Sequence, residues 1–477
     1  MMHKNRLICL IFASFGLPAF MFGQNNSGKE NVTEQSVSIT VEQAVAHALV
    51  YSSSLKSADI DLAIKERAGK NGYSVLLPTV QATATMSRAS EDAVSSNLPA
   101  GIPIEITESM HWTGIVGLSA SRNLSLAYID QIKAAKAGYE AGKLSWEQTQ
   151  RETKVNVQKL FYGLLLQQES LKLDRVSLEN SRQRYVQADQ NYKNGAVPEM
   201  RLLQLQVAYE NLKPEVSKAE REFRNQLDTF AFLIGYPVGT KLELSGSIDP
   251  NYIDVDYDNL MQMYSENSLD YQALEKNIEI LRMNLSSLKL GIYTPALALN
   301  YSFQPMLTNF FEADKGGYPN GDWKDRNGSF SISLAWNLTN LLPFSSKRQT
   351  VKDLENNIEK LEIKRGMLLE NQKISIRKAV DTLNDAREQI DVMARNITLA
   401  QRSYDMTARS FRNGTTELLD LRDAEKQLNQ AKLGLASQKF NYISALLDLE
   451  TALNTNLQVE SNIDTKKTET ATAVEGE

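Results

Sequence analysis

Few side chains in this sequence have the types and spacing that catalysis or metal binding requires. The chain has one cysteine, Cys9, and three histidines, of which His47 and His111 lie beyond the first residues. It has no glycine-rich phosphate loop, no metal-spaced cluster and no nucleophile elbow. An enzyme, a cofactor and a metal site are therefore not expected. A net charge of −6 also argues against a broad basic surface for nucleic acid.

Two carboxylates have a spacing that matters on a helix. Asp420 and Asp423 are three residues apart, which places them on one helix face. Taken alone, such a pair is typical of two solvated surface acids. What it can do depends on the elements that position it.

Long helices are predicted on both sides of Gly414, where these aspartates lie, and on both sides of Gly195. Four apolar rows repeat every seven residues, which predicts left-handed coiled coils. Gly195 and Gly414 each separate two rows and let the chain reverse, so two long antiparallel hairpins are expected. An ordinary helical bundle is the alternative, and Pro214 predicts a kink within one helix. The rows run from Val157 to Tyr192, from Leu202 to Phe230, from Leu369 to Phe411 and from Leu421 to Leu449.

The chain repeats itself once. The segment from Tyr192 to Gly195 returns 219 positions later as Phe411 to Gly414. Each copy has the order helix, strand, strand, helix, helix, which predicts a mainly α protein with a small β part. The predicted segments begin with a signal peptide (1–23) and a polar N-terminal segment (24–38). The first repeat (39–236) has strands at about 79–89 and 111–122 and a hairpin at about 126–234, and a linker (237–256) follows it. The second repeat (257–454) has strands at about 296–304 and 328–338 and a hairpin at about 345–454, and a disordered tail (455–477) ends the chain.

The first residues are typical of a secretory signal peptide cut near Gly23. Lys4 and Arg6 precede the apolar run Leu7–Phe22. An N-terminal membrane anchor is the alternative, although the run is short for a span. Cys9 lies within the run, so a mature chain would have no cysteine to carry a lipid at its new N-terminus.

The strand segments alternate between apolar and small polar residues. Between 328 and 338, Phe330, Ile332 and Leu334 alternate with serine and alanine. Strands of this kind are typical of outer-membrane barrels. A soluble sheet would alternate too, but its apolar face would need a covering layer, and the helices already use their apolar rows on each other. Because four strands cannot close a barrel, several chains would have to close it together, with 89–110 and 304–327 as outward loops.

These features together resemble the outer membrane efflux protein family, typified by TolC. The resemblance covers nearly the whole mature chain and rests on the duplicated element order and on two tip motifs, Tyr192-Lys-Asn-Gly-Ala-Val-Pro-Glu and Phe411-Arg-Asn-Gly-Thr-Thr-Glu-Leu. It implies a homotrimer in the outer membrane of a Gram-negative bacterium, in which a 12-stranded β-barrel continues into a 12-helix periplasmic α-barrel.

The resemblance also implies a function and partners. It implies a passive exit duct of a tripartite efflux or type I secretion system, energised by an inner-membrane pump through a periplasmic adaptor. A structural or adhesive coiled-coil envelope protein without a pore is the alternative.

Roles for individual tip residues follow from the same resemblance. It implies that Asp420 and Asp423 form rings of carboxylates that narrow the periplasmic entrance, where such rings favour cations. The first repeat has Arg201 and Gln204 at the equivalent positions, so one repeat alone would supply the rings. The turns expected to contact the adaptor are Asn194, Gly195, Asn413 and Gly414.

One tip feature departs from the family. Members that latch the closed tip use an aromatic residue and an arginine near the second tip. Here Phe411 lacks the hydroxyl group of a tyrosine and Thr416 stands in place of the arginine, so the latch bonds are expected to be absent or different.

Overall fold

The structure is a computed structural model that describes residues 37–95, 111–255, 257–264, 268–308, 328–455 and 457. The predicted signal peptide, with Cys9, lies outside the described residues. So do most of the predicted polar N-terminal segment, most of the tail and the larger part of both predicted loops.

Helices form most of the described structure. The two longest, α4 and α8, have 67 residues each, and the helices that follow them, α5 and α9, have 36 residues each. At 1.5 Å per residue, a 67-residue helix is about 100 Å long. The described helices are α1 (Val41–Tyr51), α2 (Ser53–Lys70), α3 (Glu91–Ser95), α4 (Ala127–Lys193), α5 (Glu199–Ile234), α6 (Tyr257–Tyr264), α7 (Leu269–Tyr293), α8 (Ser346–Arg412) and α9 (Leu418–Leu453).

The long helices have the same bounds in both halves of the chain. The first and last residues of α8 and α9 each lie 219 positions after those of α4 and α5. The predicted apolar rows lie on the packed faces of these helices: Ile376, Leu383 and Ile390 are all buried on α8. Helix α5 continues through Pro214 without a break.

The strands form two separate sheets. The larger sheet has the order β2-β3-β5-β7, all antiparallel, and β6 pairs with the far end of β3. The smaller sheet is a parallel pair of β1 and β4. The described strands are β1 (Val37–Ile39), β2 (Thr79–Arg88), β3 (Trp112–Leu124), β4 (Leu242–Leu244), β5 (Ala296–Phe303), β6 (Met306–Thr308) and β7 (Gly328–Ala335).

Strand β7 is shorter than the sequence pattern suggested. The alternation continues to 338, but β7 ends at Ala335. The next residue, Trp336, donates its indole N–H to the carbonyl of Ile292 at 3.1 Å, and Leu338–Leu341 forms a 3₁₀ turn. These local contacts turn the chain out of the sheet before α8 begins.

Equivalent positions of the two repeats build two separate cores. In the first core Val157 and Phe161 of α4 pack with Phe230 of α5. In the second, Ile376 of α8 packs with Leu449 of α9. Ile376 and Leu449 are the residues 219 positions after Val157 and Phe230, so each hairpin buries its own apolar seam.

The segment between the repeats packs against the cores of both repeats. Its strand β4 pairs with β1, and Ile253 packs into the second core. The backbone N–H of Ile253 donates to the hydroxyl of Tyr442 at 3.0 Å, and Asp249 pairs with Lys439 at 2.7 Å. That pairing lowers the pKa of the Asp249 carboxyl, since Lys439 donates a hydrogen bond to the charged form.

Candidate functional site

Both hairpin tips have the same turn geometry. At the first tip, the N–H of Gly195 donates to Tyr192 at 2.9 Å and the N–H of Ala196 donates to Asn191 at 2.8 Å. At the second, Gly414 donates to Phe411 at 3.1 Å. The tip glycines have φ of +71° and +77°, in the left-handed region that favours glycine. The preceding residues, Asn194 and Asn413, cap the helices and are exposed.

The two aspartates of the predicted gate lie at the start of α9. Asp420 is in its first turn and Asp423 follows on the same face. Both side chains are exposed, and within the described part of the chain neither forms an ion pair. Leu421 and Ala424, by contrast, are buried against the neighbouring helices. The pair therefore points away from the packed face of α9.

The two tips contact each other through Arg201 and Phe411. The guanidinium group of Arg201, on α5, lies 4.4 Å from the centre of the Phe411 ring, on α8. This cation–π contact joins residues of different repeats. The two residues, with Thr416 and Asp420, line a cavity of about 840 Å³ between the tips. Phe411, which has no hydroxyl group for a latch bond, thus contacts an arginine from the other repeat. This arginine, Arg201, occupies the first-repeat position equivalent to Asp420.

A polar seam lies above the tips, where α4 packs against α9. Glu425 is only 8% exposed and accepts hydrogen bonds from Asn180 at 3.0 Å and from Arg184 at 2.8 Å. One turn further along, Asn429 donates to the hydroxyl of Ser177 at 2.9 Å. These bonds connect the first repeat directly to the second.

A tyrosine borders this polar seam. Burial raises the pKa of the Tyr404 hydroxyl, and the negative charge of Glu425 raises it further. The low exposure of the Glu425 and Arg184 side chains, 11% and 17%, shows that the ion pair itself is largely shielded from water.

Sequence reasoning missed Glu425 as a structural residue. A signal was present, because Glu425 is four residues after Leu421 and three before Leu428. Both leucines belong to a heptad row, and a helix brings such neighbours onto one face. A carboxylate at that position is placed among apolar side chains and requires a partner.

The larger sheet has one apolar face and one polar face. Residues directly opposite in an antiparallel pair share a face, so the strand register sorts the side chains. The polar face is made mainly of threonine, serine and asparagine side chains. The apolar face includes Val80, Met86, Val116, Leu118, Leu299, Tyr301, Phe330, Ile332 and Leu334.

Among the described residues, no element covers the apolar face. Phe330 is 65% exposed and Leu334 is 71% exposed. An exposed apolar surface of this kind marks a site of contact with a membrane or another protein. None of the helices in the described part of the chain is both long and apolar enough to cross a membrane.

Both described histidines have local structural contacts. His47 donates through Nδ1 to the carbonyl of Ile234 at 2.7 Å and stacks on Tyr236. His111 donates through Nδ1 to the carbonyl of Ala89 at 2.9 Å. Among the described residues, no group of histidine, cysteine, aspartate or glutamate is arranged to hold a metal ion.

These observations define a class of protein: two helical hairpins, each with a longer arm of about 100 Å, joined to a small sheet whose apolar face is uncovered among the described residues. A family model described as outer membrane efflux protein matches residues 44–236 and 322–455, more than half of the chain. The chain belongs to the outer membrane efflux protein family. A search of curated proteins found no match.

Solved structures share this fold. The Campylobacter jejuni CmeC outer membrane channel is 18% identical, with a TM-score of 0.72 over 87% of this chain and 85% of that chain. The outer membrane protein VceC from Vibrio cholerae is 14% identical, with a TM-score of 0.66 over 87% of this chain and 96% of that one. The open state of the Neisseria gonorrhoeae MtrE outer membrane channel is 18% identical, with a TM-score of 0.67 over 87% and 89%.

Membership of the family defines the function in broad terms. The protein is an exit duct of the outer membrane that serves efflux, and its family consists of channels rather than enzymes. Its location is the outer membrane.

Proposed function

We propose that three copies of this chain form one channel that crosses the outer membrane and continues as a helical tunnel towards a periplasmic adaptor and an inner-membrane pump. The observation that supports this assembly is that the described part of the chain has two uncovered edges, each with an outer strand and an outer helix. Substrates would pass through passively, with the energy supplied by the pump.

The uncovered edges follow from the order of the elements. In the sheet, β2 and β7 are the outer strands. In the part of the helical layer where the hairpins lie side by side, α4 packs between α5 and α9, and α9 packs against α8, so α5 and α8 are the outer helices there; at the tips they meet through Arg201 and Phe411. Strand β7 leads into α8, which places both on one side of the chain. An unpaired strand edge is not tolerated in lipid, so another copy has to cover it.

The outer helices have apolar stripes suited to this contact. Met200, Leu203 and Val207 are exposed on α5, and Leu399 and Met406 are exposed on α8. A contact between two different surfaces of identical chains is heterologous and is satisfied at every copy only when it closes a ring. Four main strands per chain give twelve in a trimer, the number that the family resemblance implies.

In such a ring, Asp420 and Asp423 would each be repeated three times around the tunnel entrance. Their exposure at the start of α9 supports this role, because the carboxylates are free to face a common axis. We also propose that Asn194 and Asn413, exposed at the turns, contact the adaptor. A mature chain without Cys9 would not be lipidated at its N-terminus.

Conductance of the purified protein in planar lipid bilayers tests the channel. We expect discrete conductance steps and a trimer after chemical cross-linking. A detergent-free, monomeric rod without conductance would contradict the proposal and favour a structural coiled-coil protein.

The gate is tested by the double variant Asp420→Asn/Asp423→Asn. Removing the carboxylates should raise the conductance and reduce block by multivalent cations. The matched control is Asp381→Asn/Asp385→Asn, two exposed aspartates on α8 about 40 Å from the tip. A channel whose conductance and cation block are the same in both double variants would disprove the gate but not the channel.

Site-specific photo-cross-linkers test the adaptor contact. A cross-linker at Asn194 or Asn413 should capture the periplasmic adaptor in intact cells, whereas one at Asp385 should not. Equal capture from all three positions would contradict a contact at the tips.

A further inference from the structure

The contact between α4 and α9 joins the first repeat to the second, and polar side-chain pairs fix its alignment. Three such pairs connect the two helices over about 38 Å of α4, at 1.5 Å per residue. Pairs this far apart define the register, which means the level at which each residue of one helix faces the other. The pairs are Lys159–Asp448, Ser177–Asn429 and Arg184–Glu425.

The duplication supplies a second set of helices with the same lengths. The bounds of α8 lie 219 positions after those of α4, and the bounds of α5 lie 219 positions before those of α9. Above the tips, however, α8 and α5 are the outer helices on opposite edges of one chain. A contact between α8 and α5 that resembles the contact between α4 and α9 therefore requires two copies of the chain.

The residues 219 positions away from the three pairs are chemically compatible with each other. Lys378 is matched with Thr229, whose hydroxyl donates to the carbonyl of Asn225 and can still accept from an ammonium group. Asn396 is matched with Glu210, so an amide donor meets a carboxylate acceptor. No shifted pair brings two like charges together. The shifted pairs are Lys378–Thr229, Asn396–Glu210 and Ser403–Gln206.

The surface of α8 at these positions has the character of an interface. Lys378 and Asn396 are exposed, and among the described residues their side chains have no hydrogen-bond or ion-pair partner. Leu399, about one turn after Asn396, is 64% exposed. On α5, Val207 lies next to Gln206 and is 58% exposed. Unpaired polar groups beside exposed apolar side chains are suited to contact with another protein surface.

We infer that α8 of each copy packs against α5 of the next copy in the register of the α4–α9 contact. Lys378 then donates to Thr229 of the neighbouring copy, and Asn396 donates to Glu210 of that copy. The contact joins two different surfaces of identical chains, so it repeats at every copy of a closed ring. This inference rests on the proposed function, because it requires the copies to form such a ring.

Cysteine cross-linking of the full-length channel in membranes tests the register. The double variant Asn396→Cys/Glu210→Cys is made in a chain whose single native cysteine is removed by Cys9→Ala, and it is treated with a short thiol-specific cross-linker. Covalent dimers and trimers are expected on a denaturing gel, because each bond joins two copies. Bonds formed inside one chain would give cross-linked monomers and would overturn the inference.

Two matched variants calibrate this result. Ser177→Cys/Asn429→Cys is the equivalent pair within one chain and should give cross-linked monomers. Asn396→Cys/Glu222→Cys moves one cysteine along α5 by about 18 Å and should give no covalent oligomers. More covalent oligomer from the Glu222 control than from the Glu210 variant would show a displaced register and refute the inference.

A second pair keeps the test decisive if the first variant fails to fold. Lys378→Cys/Thr229→Cys lies nearer the sheet end of the same two helices and should also give covalent dimers and trimers. Assembled channels in which this pair stays monomeric, while Ser177→Cys/Asn429→Cys cross-links, would refute the proposed alignment.

The wild type separates this inference from the proposed function. A wild-type channel that conducts and forms trimers with an amine cross-linker, while both cysteine pairs give no covalent oligomers, would refute the register and leave the channel intact. A wild type that is monomeric and does not conduct would refute the proposed function, and the contact between copies with it.

Discussion

Replacing Glu425 tests whether the buried seam holds the two repeats together. The variant Glu425→Gln keeps the size of the side chain but removes its charge. In the wild type, Glu425 accepts from Arg184 at 2.8 Å and from Asn180 at 3.0 Å. In the variant, Arg184 keeps its positive charge without a carboxylate partner, although its side chain is only 17% exposed.

The size of the effect follows from this burial. Breaking a buried ion pair by removing one partner costs about 3–5 kcal/mol. Because Arg184 retains some contact with solvent and the glutamine oxygen can still accept one hydrogen bond, we expect the lower end of this range, about 3 kcal/mol. The control variant Glu179→Gln breaks an exposed ion pair between Glu179 and Arg182, both on α4. It should lower the free energy of unfolding by less than about 0.5 kcal/mol.

The assay is guanidinium chloride unfolding in detergent, followed by circular dichroism. The midpoint should fall in Glu425→Gln with little change in slope, and hydrogen exchange should accelerate in the seam on both α4 and α9. The double variant Arg184→Met/Glu425→Leu replaces both charges by apolar groups and should recover most of the loss.

Two results would refute this reasoning. One is a midpoint for Glu425→Gln that matches that of Glu179→Gln. The other is a double variant that is no more stable than the single one, since it would mean that an unpaired charge is not the cause of the loss.

Three further predictions concern the tips and the first hairpin. Gly414→Ala should lower stability by about 1 kcal/mol in thermal unfolding, because Gly414 has a φ of +77°. Gly414→Asn should lower stability less, and equal losses in the two variants would contradict this reason. Burial, and then the charge of Glu215, raise the pKa of the Asp174 carboxyl, so the folded state holds that proton more tightly and stability falls as the pH rises through this range. Asp174→Asn should therefore be more stable than the wild type at pH 7, and the gain should vanish in unfolding titrations below about pH 4; a gain that persists there would exclude titration of Asp174 as its cause. Phe411→Leu should remove about 0.5–1 kcal/mol of coupling with Arg201, and a double-mutant cycle with Arg201→Gln that gives zero coupling would disprove the contact.

The local structure of the tips could be predicted from the sequence. Residues between two heptad rows must reverse the chain, and glycine supplies the left-handed conformation that such a reversal uses, as at Gly195. The contact between the tips could not be predicted in this way. Arg201 and Phe411 are 210 positions apart, and only the packing of α4 against α9 brings their helices together.

The contacts of the segment between the repeats could not be predicted for a related reason. Its polar composition predicts a linker and does not indicate which parts of the chain the linker packs against. Three residues, Leu242–Leu244, pair with the strand Val37–Ile39 just before the first repeat, and Ile253 packs against the second core. Short strands of three residues leave too weak a pattern to recognise, and their partner is set by how the hairpins pack.

The sequence by itself determined the elements of this protein: the duplication, the long heptad helices, the two-faced strands and the glycine turns. Each of these depends on periodicity or on the conformational preference of single residues, and both are local properties. Only the tertiary structure decided which residues meet across the repeats, as Glu425 meets Arg184 and as Arg201 meets Phe411. Such contacts depend on the relative position of whole helices and strands, and no spacing along the chain encodes that position directly.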